Sequence, residues 1–264
     1  MGNILVLSGK KQSGKNTASN FIHGYLMHVF GVTRMFDIDE HGNLLVYAEQ
    51  TDENGNILKG MGVLDLNRTD EPFVQYASSR IWPIVHNYSY ADNLKQALIH
   101  IFNLTYEQCY GTDDDKNSPS TILWKDISFI FSPKRVKQLK DEDLYNKPMA
   151  ARQLLQVFGT DICRRIKFDC WSRSCLELIK KDNSTLAIIT DARFPDEIDI
   201  AREYGAKSLR LLRNPLNDDH KSETALDNYT QFDVVLDNSS MNIKEQNQAV
   251  LDILRNWGWI DAVV

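Results

Sequence analysis

Residues 6–22 read VLSGKKQSGKNTASNFI, and the fold follows from what this stretch becomes. The overlapping apolar run NILVL, residues 3–7, suits a buried parallel strand. Gly9 then opens G-K-K-Q-S-G-K-N-T, and helix-forming residues continue to Phe30, with Phe21, Tyr25 and Val29 at four-residue spacing. Strand, glycine loop and helix in this order are the context that a phosphate-binding loop of the Walker A type requires. In such a loop, successive backbone N–H groups and the helix N-terminus point at phosphate oxygens. Gly9 and Gly14 allow backbone angles and close approaches that a side chain would block. Lys15 is placed to reach the β- and γ-phosphates. The bland alternative is a glycine turn that merely caps a helix.

Asn16 departs from the general pattern, in which a Ser or Thr after the lysine gives magnesium a hydroxyl. An asparagine amide is a less usual, neutral ligand. Thr17, one position later, offers a hydroxyl nearer the α-phosphate.

The whole chain sets bounds on the partners. Its 264 residues suit one α/β domain with insertions, and the 42% hydrophobic and 25% charged fractions are those of a globular protein. A formal charge of −6 argues against a surface for nucleic acid polymers, while a local basic cleft for a small anion stays open. Cys109, Cys163, Cys170 and Cys175 include no C-x-x-C pair, so reduced thiols are expected rather than zinc. No stretch nears the ~20 apolar residues of a membrane span, and the expected setting is cytoplasmic.

Beyond the loop, residues 34–67 carry the turn signals HGN and ENGNI around β-rich stretches such as NLLVYA, which predicts an inserted hairpin or small sheet. Residues 82–102 read as a strand turning into a helix near Tyr90, with Leu94, Leu98 and Ile101 as an apolar stripe and Asp92 and Lys95 on the first turn. GTDDDKNSPS, residues 111–120, reads as a loop, and SPKRVKQLKDED as a solvated basic helix face. Residues 112–148 are taken as a substrate- or lid-type insertion.

Residues 149–163 are predicted helical, with Leu154, Leu155, Phe158 and Ile162 toward a core. Arg152 and Gln156 share another side, and Gly159, Thr160 and Asp161 break the run. TLAIIT, residues 185–190, is a second buried strand ending at Asp191, where an acid can orient magnesium or its waters. Arg193 follows, then FPDEIDIAREYG as a helix, further strands at residues 207–212 and within FDVVLDN, and a terminal amphipathic helix. Repeated βα units predict a mostly parallel sheet of the P-loop NTPase type, flanked by helices. The last residues, NWGWIDAVV, offer an apolar face for a homodimer.

Taken together, LSGKKQSGKNT, YADNLK, ARQLLQVFGTD with the later DCW, ITDARFPDE and DDHKSE resemble, in order, the bacteriophage-type deoxynucleoside monophosphate kinases. That resemblance implies a P-loop enzyme using ATP and Mg2+ to make deoxynucleoside diphosphates for DNA synthesis. It assigns ATP to Gly9, Gln12, Gly14, Lys15, Asn16 and Thr17, and magnesium to Thr17 and Asp191, partly through water. Lys11, Lys95, Arg152, Gln156, Gly159, Thr160 and Trp171 would hold the monophosphate. Lys15, Asp191, Arg193 and Asp92 would be catalytic. A lid should exclude water, and residues 193–202 are the first candidate for it. The competing readings are another small-molecule P-loop kinase, similar to dephospho-coenzyme A kinases, and a non-catalytic nucleotide sensor.

Overall fold

The computed structural model describes residues 2–51, 57–214 and 224–260. Two compact units make up the chain: residues 1–89 with 176–264, and residues 90–175.

The first unit is built on five parallel strands: β1 (Asn3–Gly9), β5 (Val85–Tyr88), β8 (Leu186–Ile189), β9 (Lys207–Leu211) and β10 (Val234–Leu236). Their order is β10-β9-β1-β8-β5. Strand β1 is central, with Leu5 opposite Ile188 on one side and Lys207 on the other. Its run Ile4, Leu5, Val6 and Leu7 is buried on both faces, as an uninterrupted apolar strand in a helix-covered sheet must be. The expected P-loop NTPase-type α/β fold, a parallel sheet flanked by helices, is the architecture observed.

Helix α1 (Lys15–Val29) leaves the loop after β1 and buries Ala18, Ile22 and Leu26 in the same core as Leu5 and Leu7. Helix α11 (Ile243–Asn256) packs against α1 and adds Val250 and Leu254. Its start is fixed by a capping box, in which Asn242 Oδ1 accepts from the Glu245 N–H and Glu245 accepts from the Asn242 N–H. Trp257, Trp259 and Ile260 of the apolar terminal stretch pack on this same core.

Residues 34–67 hold a three-stranded antiparallel sheet, β2 (Phe36–Ile38), β3 (Leu44–Thr51) and β4 (Ile57–Val63). The turn signal ENGNI lies largely outside the described residues. Helix α2 (Glu71–Arg80), capped by Asp70, was not expected: only Phe73 and Ala77 are buried, too few for a visible period.

In the second unit, helices α3 (Asp92–Phe102), α4 (Tyr106–Tyr110), α5 (Asp113–Asn117), α6 (Pro133–Asp141), α7 (Ala151–Gln156) and α8 (Arg164–Ile166) accompany the pair β6 (Pro119–Leu123) and β7 (Pro148–Ala150). Helix α9 (Cys170–Asp182) begins there and continues into the first unit. The core is formed by Leu98, Leu104, Trp124, Leu139, Met149 and Leu154.

Several expectations are corrected. The polar stretch at residues 111–120 is not simply a loop: Thr112 and Asp115 exchange hydrogen bonds that cap α5. Ile101 does not join the stripe with Leu98; it is 60% exposed. Gly159, Thr160 and Asp161 do not break the helix but widen it, in a π-helical segment, Val157–Cys163. A Cβ on Gly159 would lie 2.6 Å from Leu94 Cδ2, so the residue's smallness serves close packing there. Residues 193–202 are no free lid, because α10 (Pro195–Glu203) buries Ile198, Ile200 and Ala201 against the sheet.

Candidate functional site

At the carboxyl ends of β1 and β8 the first unit holds a cleft of about 650 Å³. This is the edge where the strand order reverses and where open parallel sheets place ligands. The loop after β1 forms one wall. Gly14 is left-handed, at φ 99°, and a Cβ there would fall 2.5 Å from Gln246 Oε1. Lys15 folds back across the loop and donates from Nζ to the carbonyls of Gly9 (2.6 Å) and Lys10 (2.8 Å).

A buried amide network braces this loop from outside. Asn238 donates to the Ser13 carbonyl at 2.8 Å and to Gln246 Oε1 at 2.6 Å. Gln246 Nε2 reaches the Gly14 carbonyl at 3.2 Å. The Arg213 backbone N–H donates to Asn238 Oδ1 at 2.8 Å, and its guanidinium to the Asn238 carbonyl at 2.9 Å. In a planar trans peptide, C=O and the following N–H point in opposite directions. Holding the Ser13 and Gly14 carbonyls therefore fixes which way the Gly14 and Lys15 N–H groups point.

Lys11, Gln12, Gly14, Lys15, Asn16 and Thr17 line the cleft together with Gly9, Asp191 and Arg193. Asp191 Oδ2 accepts from Ser89 Oγ at 2.6 Å. The backbone after Asp191 is held by Glu197, whose Oε2 accepts from the N–H groups of Arg193 (2.7 Å) and Phe194 (3.1 Å). Burial pushes the Glu197 carboxyl up to about 7; the Arg193 N–H bond opposes this and the charge of Asp191 adds to it. Asp191, Asn16 and Thr17 offer the hard oxygens that Mg2+ takes alongside phosphates and water. Among the described residues no cluster of three or more His, Cys, Asp or Glu forms a metal cage by itself.

Four titratable residues join the lining without having a motif to mark them, Glu40, His41, Arg210 and Arg213. Arg210, buried on β9, donates to Ser8 Oγ (3.0 Å) and Asp227 Oδ1 (3.3 Å). Arg213 could have been found by the rule that found Asp191, since it too follows the end of a buried strand.

The remaining predicted residues belong to the second unit. Asp92 Oδ1 accepts from the Tyr110 hydroxyl at 3.3 Å, and Lys95 Nζ lies 4.2 Å from the centre of that ring. Arg152 pairs with Asp113 at 2.6 Å. Gln156 and Thr160 are exposed, and Trp171 Nε1 donates to the Gly159 carbonyl at 3.1 Å. The DDHKSE stretch with His220 lies outside the described residues.

A parallel sheet carrying a glycine loop after its central strand, with an acid and an arginine after the neighbouring one, defines the P-loop kinase class. The sequence model of the family described as "Deoxynucleotide monophosphate kinase" matches residues 85–247, and the chain belongs to that family. It is 29% identical over 173 residues to a "Putative deoxynucleotide monophosphate kinase" of Acanthamoeba polyphaga mimivirus, covering 64% of this chain and 82% of the relative. To the "Deoxynucleoside-5'-monophosphate kinase" of Escherichia phage T5 it is 27% identical over 129 residues, 44% of this chain and 51% of that one. No described helix is long and apolar enough to cross a membrane.

Proposed function

We propose that this protein transfers the γ-phosphoryl group of ATP to a deoxynucleoside 5'-monophosphate, supplying diphosphates for DNA synthesis. The observation that carries the reading is the convergence of Lys15, Asp191 and Arg193 on one cleft in a member of this family. Loop N–H groups and Lys15 would hold the β- and γ-phosphates. Asp191 and Thr17 would hold Mg2+, which neutralises charge on the phosphates when bound. Arg193 would balance charge on the transferring group. Lys11, Lys95 and Arg152 would bind the acceptor phosphate, with Gln156, Gly159, Thr160 and Trp171 around the nucleoside. Asp92 is the second candidate acid.

The acceptor phosphate is already anionic at neutral pH, so little proton removal is needed. Rate comes from bringing two polyanions into line and offsetting their repulsion, a task for cations on a chain whose net charge is −6.

The test is ADP formation with ATP, Mg2+ and each deoxy- and ribonucleoside monophosphate in turn. Turnover that requires a deoxynucleotide and is lost in Lys15→Ala is expected. A rate no higher than with ATP alone for every acceptor would sink the reading and direct attention to coenzyme precursors.

A further inference from the structure

The inserted sheet lies outside the span matched by the family, which begins at residue 85. Its β2–β3 turn is nonetheless built against the helix of the phosphate loop. Asp39 shapes this turn: its carboxylate accepts from the N–H groups of His41 (2.9 Å) and Asn43 (2.8 Å) and from the Asn43 amide (2.9 Å). Asn20 of α1 donates its side-chain amide to the Gly42 carbonyl at 2.9 Å. Gly42 has φ 83°, and a Cβ there would lie 2.2 Å from Thr17 Oγ1. Only glycine lets the turn come this close to α1. So docked, the turn brings Glu40 and His41 into the lining of the cleft, 3.7 Å from one another.

We propose that this turn is a wall of the donor-nucleotide site, with His41 as the group that hydrogen-bonds the nucleotide. The donor, rather than the acceptor, is the ligand because the turn's anchors, Thr17 and Asn20, both belong to the phosphate loop's own helix. An insertion with no part in the family-matched span thereby becomes a determinant of ATP affinity. The inference rests on the cleft being an ATP site.

Calorimetric titration of the full chain with ATP, wild type first, tests it. His41→Ala is expected to weaken ATP binding roughly tenfold, the scale of one hydrogen bond to a charged group, with the thermal midpoint unchanged. His41→Gln, which keeps a donor, should recover part of the loss. Gly42→Ala should reproduce it by forcing the turn off Thr17. Lys59→Ala, which breaks an ion pair with Glu49 (3.2 Å) elsewhere on the same sheet, should bind ATP like the wild type. The KM for the monophosphate should stay within about twofold in every variant. Wild type that binds ATP, with His41→Ala and Gly42→Ala binding it equally well, overturns the inference alone. A loss as large in Lys59→Ala also overturns it, by making the effect one of sheet stability. Wild type that fails to bind ATP overturns the ATP reading and this inference with it.

Discussion

Asn238 donates its side-chain amide to the carbonyl of Ser13 at 2.8 Å, from a position that solvent does not reach. One fully buried amide thus joins the loop after the central strand to the segment after β10, and its second hydrogen goes to Gln246. Asn238→Ala would leave the Ser13 carbonyl and Gln246 Oε1 without this donor. The expected cost is about 1–3 kcal/mol of stability, the usual penalty for orphaning buried polar groups. ATP affinity should fall as well, because the Gly14 N–H loses its fixed direction. Urea denaturation with ATP titration checks both; an unchanged affinity in a folded variant would disprove the orienting role.

Gly14→Ala should be worse for binding than for stability. The left-handed backbone costs a non-glycine residue about 1–2 kcal/mol, and the new methyl meets Gln246 Oε1. Relief requires moving Gln246 or the loop, and either displaces the Lys15 N–H. ATP binding by the folded variant should be barely measurable, and retention of wild-type affinity would count against the proposed cradle.

One buried and one half-buried imidazole make the protein acid-sensitive. His23 donates from Nδ1 to the Ser19 carbonyl (2.9 Å), and His86 is stacked on Trp82 with ring centres 4.6 Å apart. Burial lowers both to about 4. A depressed folded value means the stability is present above the unfolded value near 6.5 and is lost as pH falls through 4. The fully buried His23 accounts for roughly 3 kcal/mol of that loss, and the partly exposed His86 for less. His23→Gln should therefore flatten the decline between pH 6.5 and 4 in guanidinium titrations, and an unaltered slope would refute the assignment.

Glu197 acts in the opposite sense over an overlapping range. Its carboxyl is raised to about 7, so its contribution is intact below the unfolded value near 4.5 and is lost as pH rises through 7. Glu197→Gln keeps an acceptor for the Arg193 and Phe194 N–H groups without the buried charge. It should match wild type at pH 4.5 and exceed it by about 1–3 kcal/mol at pH 8. Equal stability at both pH values would show that the charged form carries no penalty.

Legibility in the sequence followed the range of the contacts involved. The strand, loop and helix around Lys15 are contiguous, and Asp191 ends an apolar run; both are local patterns that reading along the chain detects. The α10 helix was likewise signalled by Pro195. Glu40 and His41 were invisible because their place depends on Gly42 meeting Thr17, a contact made by folding rather than by spacing. Arg210 looks like any polar residue in a strand until Ser8 and Asp227 enclose it. The π-helical segment was missed for a related reason: Gly159 reads as a helix breaker unless its packing against Leu94 is known. Asp92, Lys95 and Arg152 stand out in the sequence only through the family resemblance, and their partners, Tyr110 and Asp113, lie in stretches that no motif marks.

The central place of β1 also has a consequence for how the molecule is made. Its pairing partners come from residues 186–189 and 207–211, so this strand leaves the ribosome long before either neighbour exists. At roughly 5–20 residues per second, the wait lasts on the order of ten seconds or more. Throughout it Ile4, Leu5, Val6 and Leu7 form a bare apolar strand with both edges unpaired, the kind of segment that chaperones hold and aggregates recruit.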